Sequence, residues 1–243
     1  MQKLKNMKIL YKYSLIIASL FFLLSCDKDT EDISRITYYC ELDLKGGTVE
    51  FVSLGGTYTE QGWIASENDE DITDKVAVSG TVNPQVAGLY RLVYSVNNSD
   101  GYPTSVERKV IVYDTTPSVI ETGFYHVDAS SSRSGLGGAA GSPATEFKTE
   151  PPITIYQTAP GKFYISDLFG GYYSIGRGYG AAYDISGIVA FDGTNFSLVS
   201  SNATPWGDKH SAVKGTYNAE TKTLELQVDY SSFTFHLNIV QNQ

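Results

Sequence analysis

The sequence predicts an all-β protein in two domains: a β-sandwich, then an antiparallel meander that closes into a barrel or half-barrel. Three observations carry that prediction. No apolar pattern repeats at helical spacing long enough to make an extended amphipathic helix. Short segments of apolar–polar alternation recur along the chain, separated by turns rich in Asn, Asp, Gly and Pro. The 23 glycines and 18 tyrosines are spread along the 243 residues rather than gathered in one block, as suits strands and their bends.

A segment of another kind precedes the strands. Lys3, Lys5, Lys8 and Lys12 lead into an apolar run over 15–24 that only Ser19 interrupts, and no acid occurs before Asp27. A bilayer-spanning helix needs about 20 apolar residues. A positive start with an apolar core of about 7–15 residues is instead the pattern of a secretory signal. Ordinary signals end in small residues, but this one ends Leu23-Leu24-Ser25-Cys26, which resembles the lipobox of bacterial lipoproteins. The resemblance implies that residues 1–25 are removed and that Cys26 is lipidated on its sulfur and acylated on the new amino end. A plain signal with an incidental cysteine is the other reading. Lipid contributes about 0.8 kcal/mol per buried CH₂, and more than one chain holds stably. The membrane is therefore the first expected partner, through Cys26.

Removing the four lysines of residues 1–25 leaves 14 basic against 27 acidic residues, net −13. Such a protein has no electrostatic reason to bind nucleic acid or anionic headgroups. The tether over 26–32 is itself acidic. It is similar to the export signals of Bacteroidetes surface lipoproteins, which implies an outer-membrane, surface-exposed location. A solvated tether explains the same residues.

The first domain is expected over 33–114. Ile36, Tyr38, Cys40, Leu42 and Leu44 alternate with mostly polar residues, the period of a half-buried strand. Cys40 lies on the apolar face and reads as a small core residue. The chain has only one other cysteine, so no disulfide framework or metal cluster follows. Tyr90, Leu92, Tyr94 and Val96 alternate on one strand, and Val106, Arg108, Val110 and Val112 on the next. Between them Asn97-Asn98-Ser99-Asp100-Gly101 supplies turn chemistry. With Asp71-Ile72-Thr73 and Val76 upstream, Gly88-Leu89-Tyr90, and the closing Val110-Ile111-Val112, the segment resembles bacterial Ig-like domains of the hyalin-repeat and insecticidal-toxin type. Asn98 stands where those families usually carry aspartate. The resemblance implies a sandwich with Tyr90 as its corner tyrosine. Trp63 is expected in the core. Asn68, Asp69, Glu70, Asp71 and Asp74 hold enough oxygens to raise calcium, which needs six to eight converging at once. A solvated loop explains them equally.

Pro117 and small polar residues mark 115–122 as a linker. Asp114-Thr115-Thr116 is similar to the O-glycan acceptor of Bacteroidetes, which makes Thr115 a possible glycosylation site.

The second domain is expected over 123–243. It opens with "GFYHVDA" and passes through "SSSRSGLGGAAGSPAT", too small and polar to pack a core and therefore expected to be mobile or to fold over a partner. Sequential hairpins follow, turning at Pro160-Gly161, at Asp192-Gly193 and at Asn218-Ala219-Glu220-Thr221. The last strand places Phe233, Phe235, Leu237 and Ile239 on one face and His236 on the other. The arrangement looks like the carboxy-terminal domains of lipoproteins encoded beside Bacteroidetes nutrient-uptake transporters. That implies a TonB-dependent transporter complex as a partner.

Local motifs for chemistry are missing. The three histidines, His126, His210 and His236, form no H-x-x-x-H pair, and no G-x-S-x-G elbow occurs. No catalytic residue, metal or cofactor is expected, and the protein is read as a non-enzyme. The candidate surface is "DLFGGYYSIGRGYGAAYDIS". Tyr172, Tyr173, Tyr179 and Tyr183 lie there with Phe169 and Arg177 among five glycines, and Trp206 lies in a second loop. Tyrosine and tryptophan offer flat apolar faces with polar tips, suited to sugars or peptides. The competing reading puts these rings inside the barrel, with the glycines as bends. The function expected is a binding or accessory subunit of a glycan or peptide uptake complex. A structural spacer or adhesin is the alternative, and a secreted hydrolase a weaker one.

Overall fold

The computed structural model describes residues 36–147 and 151–242. The signal over 1–25, Cys26 and the tether over 26–32 lie outside the described residues. Sixteen strands and a few short helical turns make up the described chain.

Two sheets face each other in the first domain. One contains β1 (Cys40–Leu44), β3 (Trp63–Glu67) and β4 (Glu70–Asp71) in that order. The other runs β2 (Val49–Ser53), β7 (Pro103–Tyr113), β6 (Gly88–Asn97), β5 (Ala77–Ser79). β2 joins β7 in parallel, and the remaining pairs are antiparallel. Inward positions of both sheets, Cys40, Leu42, Ala65, Leu92, Tyr94, Val96, Val110 and Val112, form one core. The β6–β7 hairpin pairs Gly88 with Val112 through to Asn97 with Pro103, closing at the expected turn. Tyr90 donates its hydroxyl to the Val86 carbonyl at 2.9 Å, the corner bond of such sandwiches. The strand carrying Cys40 starts later than the alternation predicts. Ile36 and Tyr38 are exposed and precede β1, because no neighbouring strand reaches that far. Trp63 packs against the core and donates its indole N–H to the Thr73 carbonyl at 3.3 Å.

The apolar face of β7 also holds a charge. Arg108 is fully buried. It bonds Glu60 and the carbonyls of Lys45 and Gly47, and lies 3.5 Å from Glu50. Its guanidinium sits 5.6 Å from the Tyr94 ring centre. Tyr58 and Tyr94 both donate to Glu60 at 2.5 Å. Burial raises the Glu60 carboxyl, but those hydrogen bonds, the Gly62 amide and Arg108 together hold it below its ordinary value.

The second domain is a nearly closed antiparallel barrel. Its strands are β8 (Gly123–Val127), β9 (Ser132–Gly135), β10 (Pro152–Ala159), β11 (Lys162–Ile165), β12 (Gly187–Phe191), β13 (Phe196–Ser201), β14 (Ala212–Asn218), β15 (Thr223–Tyr230) and β16 (Phe233–Gln241). They pair in the order β13-β12-β11-β10-β8-β16-β15-β14, and a bridge between Asn195 and Thr216 draws the two ends together. Alternate residues point inward, so Ile155, Phe163, Val189, Leu226, Val228, Phe235 and Ile239 fill the interior.

Two expectations change here. The Ser- and Gly-rich stretch is anchored rather than free. Ser132 to Gly135 form β9, which pairs with the first half of β16 while β8 pairs with its second half. The side chains are too small to make a core, but the backbone amides still find partners on β16. The stretch over 115–122 is likewise no free linker. Ile120 is 2% exposed in the barrel core, Tyr125 donates to the Glu121 carbonyl at 2.6 Å, and Gln157 bonds both Asp114 and Thr116 at 3.0 Å. Phe51 of β2 meets Phe124 of β8 edge to face at 5.4 Å, which ties the sandwich to the barrel.

Candidate functional site

The segment over 166–186, between β11 and β12, is shaped by one buried acid. Asp167 is buried. Its carboxylate accepts the amides of Phe169 at 2.9 Å, Gly171 at 2.6 Å and Ile185 at 3.1 Å. One side chain thus fixes both ends of the loop. Burial pushes its carboxyl up to about 7, against the opposing pull of those three amides. The only hint in the sequence was an aspartate before Gly170-Gly171, since Asp binds nearby backbone amides in turns.

Gly171 then adopts φ +75, and a Cβ there would meet Pro151 at 2.3 Å, so the turn needs a glycine. Residues Tyr172–Gly176 form one π-helical turn, in which the Gly176 amide reaches the Gly171 carbonyl at 2.9 Å and that of Arg177 reaches Tyr172 at 3.0 Å. Such wide turns recur at functional sites.

The turn sends its two tyrosines to different places. Tyr172 is 1% exposed and packs on Phe147 and Phe235, with its hydroxyl on Glu146 at 3.2 Å. The expected surface role is therefore corrected: Tyr172 is a core residue. Phe169 is also fully buried. Tyr173 is half-buried, with one edge on Phe169 and another on Trp206 at 5.1 Å. Tyr179 stacks on Tyr173 at 6.0 Å and 19°. Tyr183 meets Tyr179 at 5.1 Å and Trp206 at 4.9 Å. Tyr173, Tyr179, Tyr183 and Trp206 are thus brought together from two loops. Trp206 at 48% and Tyr179 at 45% remain exposed. Both readings of the aromatic segment hold in part: Phe169 and Tyr172 line the barrel, and the other rings form a platform outside it.

A shallow groove of about 330 Å³ runs beside the platform, lined by Arg133, Tyr173, Arg177, Tyr179, Trp206 and Asp208 among others. Arg177 pairs with Glu146 at 3.4 Å and lies 5.8 Å from the Tyr179 ring centre. Arg133 lies over Phe233 at 4.3 Å and Tyr172 at 4.8 Å. Below Trp206, His210 is 5% exposed between Phe169 and Tyr230. Neither of its ring nitrogens has a hydrogen-bond partner among the described residues. Burial pushes His210 down to about 4.

The remaining candidates lie elsewhere. Thr115 is exposed in the domain junction. His236 turns away from the core and lies 3.0 Å from Ser134 of β9. Asn68 and Asp69, with φ of 49 and 64, make the two-residue turn joining β3 to β4. Asp71 accepts the Thr73 amide at 2.9 Å. Among the described residues no group of three His, Cys, Asp or Glu converges as metal ligands. Asn68, Asp69 and Asp71 thus serve their local turns.

Comparison with known proteins places this architecture. The bacterial surface protein Ig-like domain matches residues 42–112. A C-terminal domain family matches residues 114–241, over half of the chain. The lipoprotein BT2262 from Bacteroides thetaiotaomicron is 31% identical, with a TM-score of 0.71 over 84% of this chain and 100% of that one. The chain belongs to the BT2262 lipoprotein family. Its C-terminal match starts at 114, ahead of the expected boundary at 123, in agreement with the docking of 114–122 onto the barrel. This chain thus combines a surface-protein Ig-like domain with a barrel that carries the aromatic platform. Two structures of Clostridium perfringens ZmpB are far more distant. One holds CBM51-2 in complex with GlcNAc and the INT domains, at 15% identity and TM-score 0.27 over 84% of this chain and 48% of that one. The other holds the M60 catalytic domain with CBM51-1 and CBM51-2, at 14% identity and TM-score 0.28 over 85% and 22%. Neither bears on the site. No curated protein matches the chain.

Proposed function

We propose that this BT2262-type lipoprotein is a non-catalytic glycan-binding subunit of an outer-membrane nutrient-uptake complex, anchored through Cys26. The observation that carries the reading is the braced ring set of Tyr173, Tyr179, Tyr183 and Trp206, open to solvent beside a groove. Pyranose rings have apolar faces that suit such a surface. Each aromatic contact supplies about 0.5–1.5 kcal/mol beyond area burial, so several rings must act together. The Asp167 carboxylate holds the loop in place beforehand, which lowers the ordering cost of binding.

Trp206→Ala should abolish retardation of the protein in gels containing its polysaccharide while changing stability by no more than about 0.5 kcal/mol, as for other surface substitutions. Unchanged retardation across a broad polysaccharide panel, with wild type and variant alike, would remove this reading. The anchor has a separate test. Pull-down from gently solubilised outer membranes should recover a TonB-dependent transporter with wild type and nothing with Cys26→Ala. Equal membrane retention of the variant would sink the lipid-anchor claim.

The spacer or adhesin reading is favoured by a different feature, the junction of Gln157 with Asp114 and of Phe51 with Phe124, which holds the two domains together. It predicts partner recovery that does not depend on Trp206.

A further inference from the structure

Resting on the glycan reading above, we infer that the groove takes acidic saccharides of the uronic-acid class, with Arg133 gripping the ligand carboxylate. The protein as a whole is acidic, yet this groove is lined by two arginines, Arg133 and Arg177, and one acid, Asp208. The three charges are not equivalent. Arg177 is engaged by Glu146. Asp208 faces the Tyr230 hydroxyl, which hydrogen-bonds it. Arg133 has no carboxylate partner among the described residues, and its guanidinium carbon lies over the rings of Phe233 at 4.3 Å and Tyr172 at 4.8 Å.

That pose is set by the fold. β9 is a short strand whose neighbours are serines and a glycine, and its pairing with β16 places Arg133 opposite Phe235. Close to those rings the guanidinium makes no hydrogen bond to any described residue, so its N–H groups are available to a ligand. The edge of a guanidinium matches a carboxylate with two parallel hydrogen bonds, a geometry that lysine does not offer. A uronic acid supplies the counterpart in one molecule: a ring face for Trp206 and Tyr179, and a carboxylate for Arg133. Neutral sugars would offer Arg133 only hydroxyl acceptors, without the charge that strengthens the bond.

The test compares tri-galacturonic acid with its methyl ester, which keeps the rings and removes the charge, by calorimetry on the soluble two-domain chain. The acid should bind at least about tenfold more tightly, a difference of about 1.4 kcal/mol, and added salt should shrink the gap. Arg133→Gln should erase the preference and Arg133→Lys should keep only part of it, while Trp206→Ala weakens both ligands. Equal binding of acid and ester by wild type, or a preference that survives in Arg133→Gln, overturns the inference. Trp206-dependent binding of the ester with no charge preference leaves the glycan reading intact and rejects this one. Failure of both ligands to bind also rejects it, and polysaccharide retardation then decides the broader reading independently.

Discussion

Among the described residues each domain buries one arginine or acid, Arg108 in the first and Asp167 in the second, and each resolves it differently. In the sandwich the group is Arg108, answered by Glu60, by Glu50 and by backbone carbonyls from distant parts of the chain. In the barrel it is Asp167, answered by three amides of its own loop. The first arrangement ties one sheet to the segments crossing its edge, so it belongs to the fold. The second ties a loop to itself, so it belongs to the surface the loop presents. The two domains share one local device, a tyrosine hydroxyl bonded four residues back, Tyr90 to Val86 and Tyr125 to Glu121. The location of the buried charge therefore separates a domain organised for rigidity from one organised around a display loop.

The largest effect should come from breaking the first arrangement. Arg108→Ala leaves Glu60 and Glu50 partly buried without their cation, and removing one partner of such a group costs about 3–5 kcal/mol. Chemical denaturation should show that loss in the transition of the sandwich. A change under about 1 kcal/mol would mean that the acids relax into water and that the network is not structural.

Asp167→Ala should cost less and act locally. It orphans three amides, each at about 1–3 kcal/mol if still buried, but a loop can open and let water in. Hydrogen exchange should then speed up at Phe169, Gly171 and Ile185 while β15 and β16 keep their protection. Trp206 fluorescence should shift as its ring neighbours loosen. Uniform loss of protection across the barrel would contradict the assignment of Asp167 to the loop alone.

The smallest effect is a matter of pH, and it sets two neighbours against each other. Folded Asp167 titrates near 7 against an ordinary 3.8, so between those values the native state holds a proton that the unfolded chain releases. Its contribution to stability falls as pH rises through that window. Folded His210 titrates near 4 against 6.5, so the unfolded chain binds the extra proton there, and its contribution rises with pH. Subtracting the wild-type stability profile should give a rising difference for Asp167→Asn and a falling one for His210→Phe. Two differences of the same sign would show that one of the groups is hydrated in the native state.

Much of the fold was legible in the sequence. The hairpins at Pro160-Gly161, Asp192-Gly193 and Asn97 to Gly101 were readable because alternation and turn residues are local signals. The role of Tyr90 followed from the resemblance to Ig-like domains, and its bond to Val86 is the corner bond that the resemblance implies. The pairing of β2 with β7 was not, since parallel partners far apart in sequence leave no local trace. Neither was the anchoring of the Ser-rich stretch, which depends on an open backbone edge on β16 rather than on its own side chains. At the candidate site the aromatic density was visible, but the division between Tyr172 and Tyr173 was not. In a π turn no simple period assigns successive residues to faces, so one ring enters the core and its neighbour reaches the groove. His210 was visible only as a lone histidine, and the roles of Arg133 and Asp167 were not, because each of the three acquires its meaning from contacts across the fold.

β16 has a consequence for how the protein is made. The last strand in the sequence lies in the middle of the barrel sheet, with β15 on one edge and β8 and β9 sharing the other. As the chain emerges in order, β8 to β15 have no central partner until residues 233–241 arrive. Closing contacts between β8 and β16 then span more than a hundred residues, a separation that slows folding. The two halves of the barrel sheet, β8 with β10 to β13 and β14 with β15, are joined side by side only when that strand is present. Loss of residues 233–241 would remove the centre of the sheet rather than its edge.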